Sequence, residues 1–163
     1  MEFSIKRASP VQVKTDCAVV GVFEPGKLTA AAAALDRTAK GYFTAIVRRG
    51  DMLGKAGSTL LLHNVPNVAC ERVMLVGLGS ESAFAEKQYR EAVGAAIRTL
   101  NSTGATDASL HLTEVATLKR DIKWRVATAV SVAGEAVYRF DQMKSKPESP
   151  RPSLRPRCFP RSA

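Results

Sequence analysis

Two stretches constrain the fold more than anything else in this chain. "DCAVVGVF" (16–23) and "RVMLVG" (72–77) are continuous apolar runs with no polar residue at alternate positions. A strand with one wet face alternates, so an unbroken apolar strand is covered on both faces. That requirement points to helices on either side of a partly parallel sheet.

The rest of the chain supplies the helices. Thr29 can cap a helix through the run "AAAAALDRTAK", since its hydroxyl can accept an otherwise unpaired backbone N–H. Gly41 is expected to break that helix, after which Tyr42, Phe43, Ile46 and Val47 form a second apolar helical face. "GKAGS" (54–58) reads as a loop, "TLLLHNV" (59–65) as a strand, and Pro66–Asn67 as a turn. The clearest helix starts near Glu86, with Tyr89, Val93, Ala96 and Leu100 on one face, and Asn101 to Gly104 end it. "DASLHL" (107–112) reads as a short strand. A long helix follows, N-capped by Asp121, with Ile122, Val126, Val130, Ala133, Val137 and Phe140 on one stripe. "EFSIK" near the start alternates as a half-buried strand does.

The chain's 163 residues suit one domain with a tail, and 45% apolar content is that of a globular protein. Five of the eight prolines fall between Pro147 and Pro160, where a missing donor and a fixed φ argue against helix or central strand. The expected organisation is a folded unit over 1–143 and a disordered linker or truncated tail over 144–163.

Net charge is +9. The tail carries Lys144, Lys146, Arg151, Arg155, Arg157 and Arg161 against Glu148 alone. The body is also basic and so attractive to polyanions. Its basic clusters, Arg48 with Arg49, Lys119 with Arg120, and Lys123 with Arg125, are the candidate phosphate contacts, and Trp124 among them is a candidate base-stacking group. The competing reading is a solvated face with Trp124 packed on the core.

Other chemistry finds little support. "GLGSES" (77–82) has Ser82 where a dinucleotide turn needs its third glycine, its helix starts late, and Glu81 repels a pyrophosphate. It reads as a strand ending in a glycine-containing corner. His63 and His111 lie in separate expected strands without metal-ligand spacing, and each reads as structural. Cys17 reads as core, Cys70 as a loop-edge thiol and Cys158 as part of the tail; three cysteines form no disulfide framework. No catalytic, cofactor-binding or metal-binding constellation emerges. The start lacks a signal-peptide core and no run is long enough for a membrane span, so cytoplasm is the expected compartment.

The order of "CAVVGVFEPGKL", "GYFTAIVRRGD", "GKAGSTLLLHNVPNVACERVMLVGLG", "KQYREAVGAAIRTLNSTGATDASLHLTE" and "YRFDQMKSKPESPRP" closely resembles the N-terminal domain of bacterial leucyl aminopeptidases, also called cytosol aminopeptidases, over residues 1–152. The resemblance implies a three-layer α/β fold like the macro domain, a mixed sheet flanked by helices. It places the family's chemistry elsewhere, in a peptidase domain holding two divalent metals, Zn or Mn. Much of that ligand set comes from Asn-Thr-Asp-Ala-Glu-Gly-Arg-Leu, which does not occur here. It also implies hexamers with the N-terminal domains outside, and DNA contact as in some bacterial members. The ending "PRCFPRSA" departs from the family's linker and suggests a truncated, frameshifted or cut chain. Two alternatives stay open: a stand-alone nucleic-acid-binding module and a macro-like ADP-ribose-binding domain.

Overall fold

A computed structural model describes residues 4–5, 9–137 and 155–158. Its strands are β1 (Ser4–Ile5), β2 (Cys17–Glu24), β3 (Lys27–Leu28), β4 (Thr59–His63), β5 (Arg72–Ser80), β6 (Asp107–Leu110) and β7 (Arg155–Cys158). Its helices are α1 (Ala30–Thr38), α2 (Tyr42–Arg49), α3 (Glu86–Asn101) and α4 (Ile122–Val137). The strands form one sheet in the order β1-β7-β6-β2-β5-β4, with β3 paired to the end of β2. β2 runs parallel to β5 and β6, and β7 parallel to β6 and β1; β4 is antiparallel to β5.

Both apolar runs are central strands covered on both faces. Alternate residues of β2 and β5 enter different cores. Cys17, Val19, Phe23, Met74, Val76 and Leu78 pack with α3 and α4. Ala18, Val20, Val22, Val73 and Leu75 pack with Ala31, Ala32 and Leu35 of α1 and Phe43 and Ile46 of α2. The result is the expected three-layer, mixed-sheet α/β fold.

The local signals for α1 to α3 hold. Thr29 caps α1, its Oγ1 accepting from Ala32 N at 3.4 Å. Gly41 takes φ 82°, in the left-handed region that a side chain disfavours, and so separates α1 from α2. Asp36 then ties the two helices together, its carboxylate accepting from Phe43 N at 2.7 Å, Thr44 N at 3.2 Å and Thr44 Oγ1 at 2.5 Å. Tyr89, Val93, Ala96 and Leu100 of α3 are all buried. Asp121 caps α4, Oδ1 accepting from Trp124 N at 2.8 Å.

Four expectations need correction. First, β5 does not end at Gly77. It continues to Ser80, and Leu78 is an extra residue, since Val22 pairs with Gly77 while Phe23 pairs with Gly79. This β-bulge keeps Leu78 fully buried. Second, β6 stops at Leu110, and His111–Glu114 form a 3-10 turn.

Third, of the expected α4 stripe Ala133 is buried, but Ile122, Val126 and Val130 are only half-buried, and Thr128, Ala129 and Val132 are buried beside Ala133 instead. Apolar residues occur on more than one side of this helix. The small Ala129 and Ala133 allow close approach to the α3 side, so size outweighed hydrophobicity in setting the phase. Phe140 lies outside the described residues.

Fourth, the proline-rich segment does contain a strand. β7 lies between β6 and β1 despite Pro156. Pro156 pairs with Ala108 of β6, and the described β1 residues Ser4 and Ile5 pair with Arg157 and Cys158. The expected unit boundary at 143/144, and the rest of the expected tail, lie outside the described residues.

Candidate functional site

In open α/β sheets, ligand sites form at the carboxyl ends of the strands, where neighbouring connections diverge. Here β2 has parallel neighbours on both sides, and its carboxyl end opens into a cleft of about 220 Å³. Its lining includes Phe23 from the end of β2, Lys27 from β3, Thr29 to Ala31 at the start of α1, Glu81 after β5, and His111 and Glu114 after β6.

The charges are arranged in two pairs. Lys27 Nζ lies 2.5 Å from Glu81 Oε2, and both side chains are largely exposed. His111 Nδ1 lies 2.8 Å from Glu114 Oε1 at the floor, where the histidine side chain is fully buried. His63 is at the exposed end of β4. Among the described residues, no group of three or more His, Cys, Asp or Glu side chains is placed to hold a metal ion. The donors present therefore do not fit a two-metal centre.

The glycines after Val76 serve packing. A Cβ at Gly77 would lie 1.9 Å from the Lys55 carbonyl oxygen. The absence of a side chain lets the 54–58 loop lie against β5, with Gly77 N donating to Ser58 O at 2.8 Å, Gly57 N to Gly77 O at 3.0 Å and Gly79 N to Gly54 O at 2.8 Å. The glycine-containing stretch is a loop-docking surface rather than a phosphate turn, as its departures from the dinucleotide pattern lead one to expect.

Cys17 and Cys70 are core residues. Burial first, with a smaller contribution from nearby Cys70, pushes the Cys17 thiol up to about 12. Burial also raises the Cys70 thiol, which is 5% exposed and so more enclosed than a loop-edge position suggested. Neither is a thiolate nucleophile near neutral pH.

The basic clusters fall on two sides of the sheet. Arg48 and Arg49 end α2 on the α1–α2 side, both exposed. Lys119 and Arg120 precede α4, and Lys123 and Arg125 lie on its first turns, on the α3–α4 side. Arg120 pairs with Glu86 at 2.7 Å and stacks over Trp124 at 5.0 Å. Arg125 is half-buried; its guanidinium donates to Val115 O, and its own carbonyl accepts from Tyr89 Oη at 2.8 Å. Trp124 packs against Tyr89 with ring centroids 5.7 Å apart. Two residues absent from the sequence-based selection, Arg37 and Lys40, are also exposed on the α1–α2 side. Each is a lone basic residue in the sequence, and only the helical hairpin puts them on the same layer as Arg48 and Arg49.

Comparison with known proteins follows the same lines. Residues 19–147 match the cytosol aminopeptidase family, N-terminal domain. The chain is 54% identical over 155 residues to a probable cytosol aminopeptidase of Dechloromonas aromatica, covering 95% of this chain and 31% of that protein. For the Nitrosospira multiformis protein of the same description, identity is 53%, with 94% and 30% covered. The chain thus spans about 30% of these relatives' length. Among solved structures, a mutant tomato leucine aminopeptidase superposes with TM-score 0.77 at 19% identity, covering 98% of this chain and 32% of that one. The macrodomain of Mycobacterium tuberculosis DarG superposes with TM-score 0.71 at 12% identity, covering 98% of both chains. At these identities the structural likeness concerns the fold.

Proposed function

Because this chain belongs to the cytosol aminopeptidase family, as its N-terminal domain, we propose that it is the non-catalytic, architectural part of a metal-dependent aminopeptidase. The supporting observation is the extent of the match: family identity over nearly the whole chain, yet only about 30% of each relative. Two-metal hydrolysis needs both ions held together to activate water and polarise the scissile carbonyl. On this reading the ions, Zn or Mn, sit in the peptidase domain of the larger protein. The domain then occupies the outside of a hexamer in the cytoplasm, with the peptidase domains at its centre. The test is release of leucine from a leucyl anilide by this chain with added Mn²⁺ or Zn²⁺. The expected result is none; turnover above a metal-only blank would overturn the assignment.

A second reading, contact with DNA, is favoured by a specific observation: basic side chains of the α1–α2 side make no ion pair among the described residues. Binding to a duplex that weakens steeply with salt is its expected signature. Affinity independent of salt would argue against it. ADP-ribose is disfavoured, because the cleft is small, presents Glu81 and Glu114, and already has Lys27 neutralised by Glu81. Stabilisation by millimolar ADP-ribose in a thermal melt would reverse that conclusion.

A further inference from the structure

We propose that the cleft at the carboxyl end of β2 binds a free amino acid, a small zwitterion with an apolar side chain. This goes beyond the architectural role proposed above and does not rest on it.

The floor supplies one charge. Glu114 lines the cleft, and its side chain is only 13% exposed. A carboxylate so enclosed is costly unless hydrogen bonds surround it. An ionised carboxylate can only accept, so the fully buried His111 donates from Nδ1 to Oε1 at 2.8 Å. Among the described residues Oε2 accepts no hydrogen bond, yet it is not sealed from solvent. The pairing with His111 therefore holds the carboxylate in place and leaves its second oxygen for a donor in the cleft. A primary ammonium suits that oxygen, since it brings a full charge and three N–H donors.

The rim supplies the opposite charge. Lys27 Nζ also has three N–H donors, and Glu81 Oε2 takes one of them. Both side chains of this pair are largely exposed, so it reorients at little cost. A carboxylate can join Lys27 without displacing Glu81. Elsewhere the lining is apolar, from Phe23, Leu28, Ala31 and Val115.

Size and charge decide among ligand classes. At about 220 Å³ the cleft is smaller than the roughly 300–1,000 Å³ of sites for drug-sized molecules, which suits one amino acid rather than a nucleotide. Glu81 and Glu114 outnumber Lys27, so a bare anion is repelled. The start of α1 lines the same cleft with a partial positive charge, roughly +0.5, so a bare amine meets opposition there and at Lys27. A zwitterion answers both, with its ammonium at Glu114 and its carboxylate at Lys27.

The experiment titrates the isotope-labelled full chain with L-leucine and follows the backbone amides by NMR. Shifts should saturate at millimolar ligand and centre on residues 27–31 and 111–116. Isocaproate, which lacks the amine, should bind at least about tenfold more weakly. Isoamylamine, which lacks the carboxylate, should bind about two- to thirtyfold more weakly. E114Q keeps an oxygen for His111 but loses the charge, and should weaken leucine about 10- to 150-fold. It should bind isocaproate no worse than the parent does, which a collapsed cleft could not. K27M should weaken leucine by no more than about fivefold. Absence of a saturating shift with leucine overturns the proposal, as do shifts confined to the groove between α3 and α4 around Arg90 and Glu135. Leucine affinity unchanged in E114Q, or isoamylamine binding as tightly as leucine, overturns it equally.

Discussion

Replacing Gly77 by alanine tests the loop-docking account of the Gly-Leu-Gly stretch. The added Cβ would sit 1.9 Å from the Lys55 carbonyl oxygen and 2.3 Å from Ser58 Oγ. The hydroxyl can rotate away, but the carbonyl belongs to the backbone of a short loop and can yield only if the loop moves. Overpacking of this kind costs roughly 1–3 kcal/mol. Displacing the loop also endangers the three hydrogen bonds from Gly57, Gly77 and Gly79, each contributing about 0.5–1.5 kcal/mol. The expected total is about 3–5 kcal/mol, a large part of the roughly 5–15 kcal/mol by which a domain is stable. With a urea slope near 2 kcal/mol/M, the midpoint should fall by about 2 M. Unfolding can be followed by Trp124, the single tryptophan, together with far-ultraviolet circular dichroism. Gly134 supplies the contrast: it lies inside α4 and a Cβ there meets nothing within 4 Å. G134A should therefore stabilise by about 0.5–1 kcal/mol. A Gly77→Ala variant within about 0.5 kcal/mol of the parent, the range of an inert surface change, would refute the reasoning.

Three further outcomes are expected. Burial works to raise the Asp16 pKa, but hydrogen bonds from the Thr106 hydroxyl and N–H and the Asp107 N–H, with Arg72 nearby, bring it below the ordinary 3.8. Its contribution is thus present above that value and lost as pH falls through the folded-state pKa; urea titrations should show the parent losing more stability than D16N on acidification below about pH 4, and equal losses would contradict this. Peptide mapping after native alkylation near pH 8 should find Cys17 and Cys70 unmodified, with both modified in denaturant; rapid native labelling of either would be inconsistent with their burial. D121A should cost about 1 kcal/mol by removing the α4 cap, and D121N much less; equal effects would place the contribution in charge rather than in the hydrogen bond.

What the sequence discloses divides by the range of the forces involved. β2 and β5 were legible because burial on both faces imposes a continuous apolar run. Thr29, Gly41 and Asp121 were legible because helix ends are decided by nearest neighbours. The bulge at Leu78 was not, since it depends on the register between two strands distant in sequence. Nor was the packing side of α4, where several apolar faces competed and the small size of Ala129 and Ala133 decided. The candidate site followed the same rule. Arg48 and Arg49 were visible as a pair, but Arg37 and Lys40 joined them only through the α1–α2 hairpin. The occupation of Arg120 and Arg125 was likewise a matter of tertiary contacts.

The position of β7 has a consequence for how the molecule is made. Among the described residues, β1 pairs with β7 and with no other strand. During synthesis Ser4 and Ile5 emerge first, but their seat does not exist until Arg157 and Cys158 have been added. Ribosome-bound chains shorter than that should therefore carry an unseated amino terminus, open to chaperones or proteases, while the layers around β2 and β5 are already able to assemble.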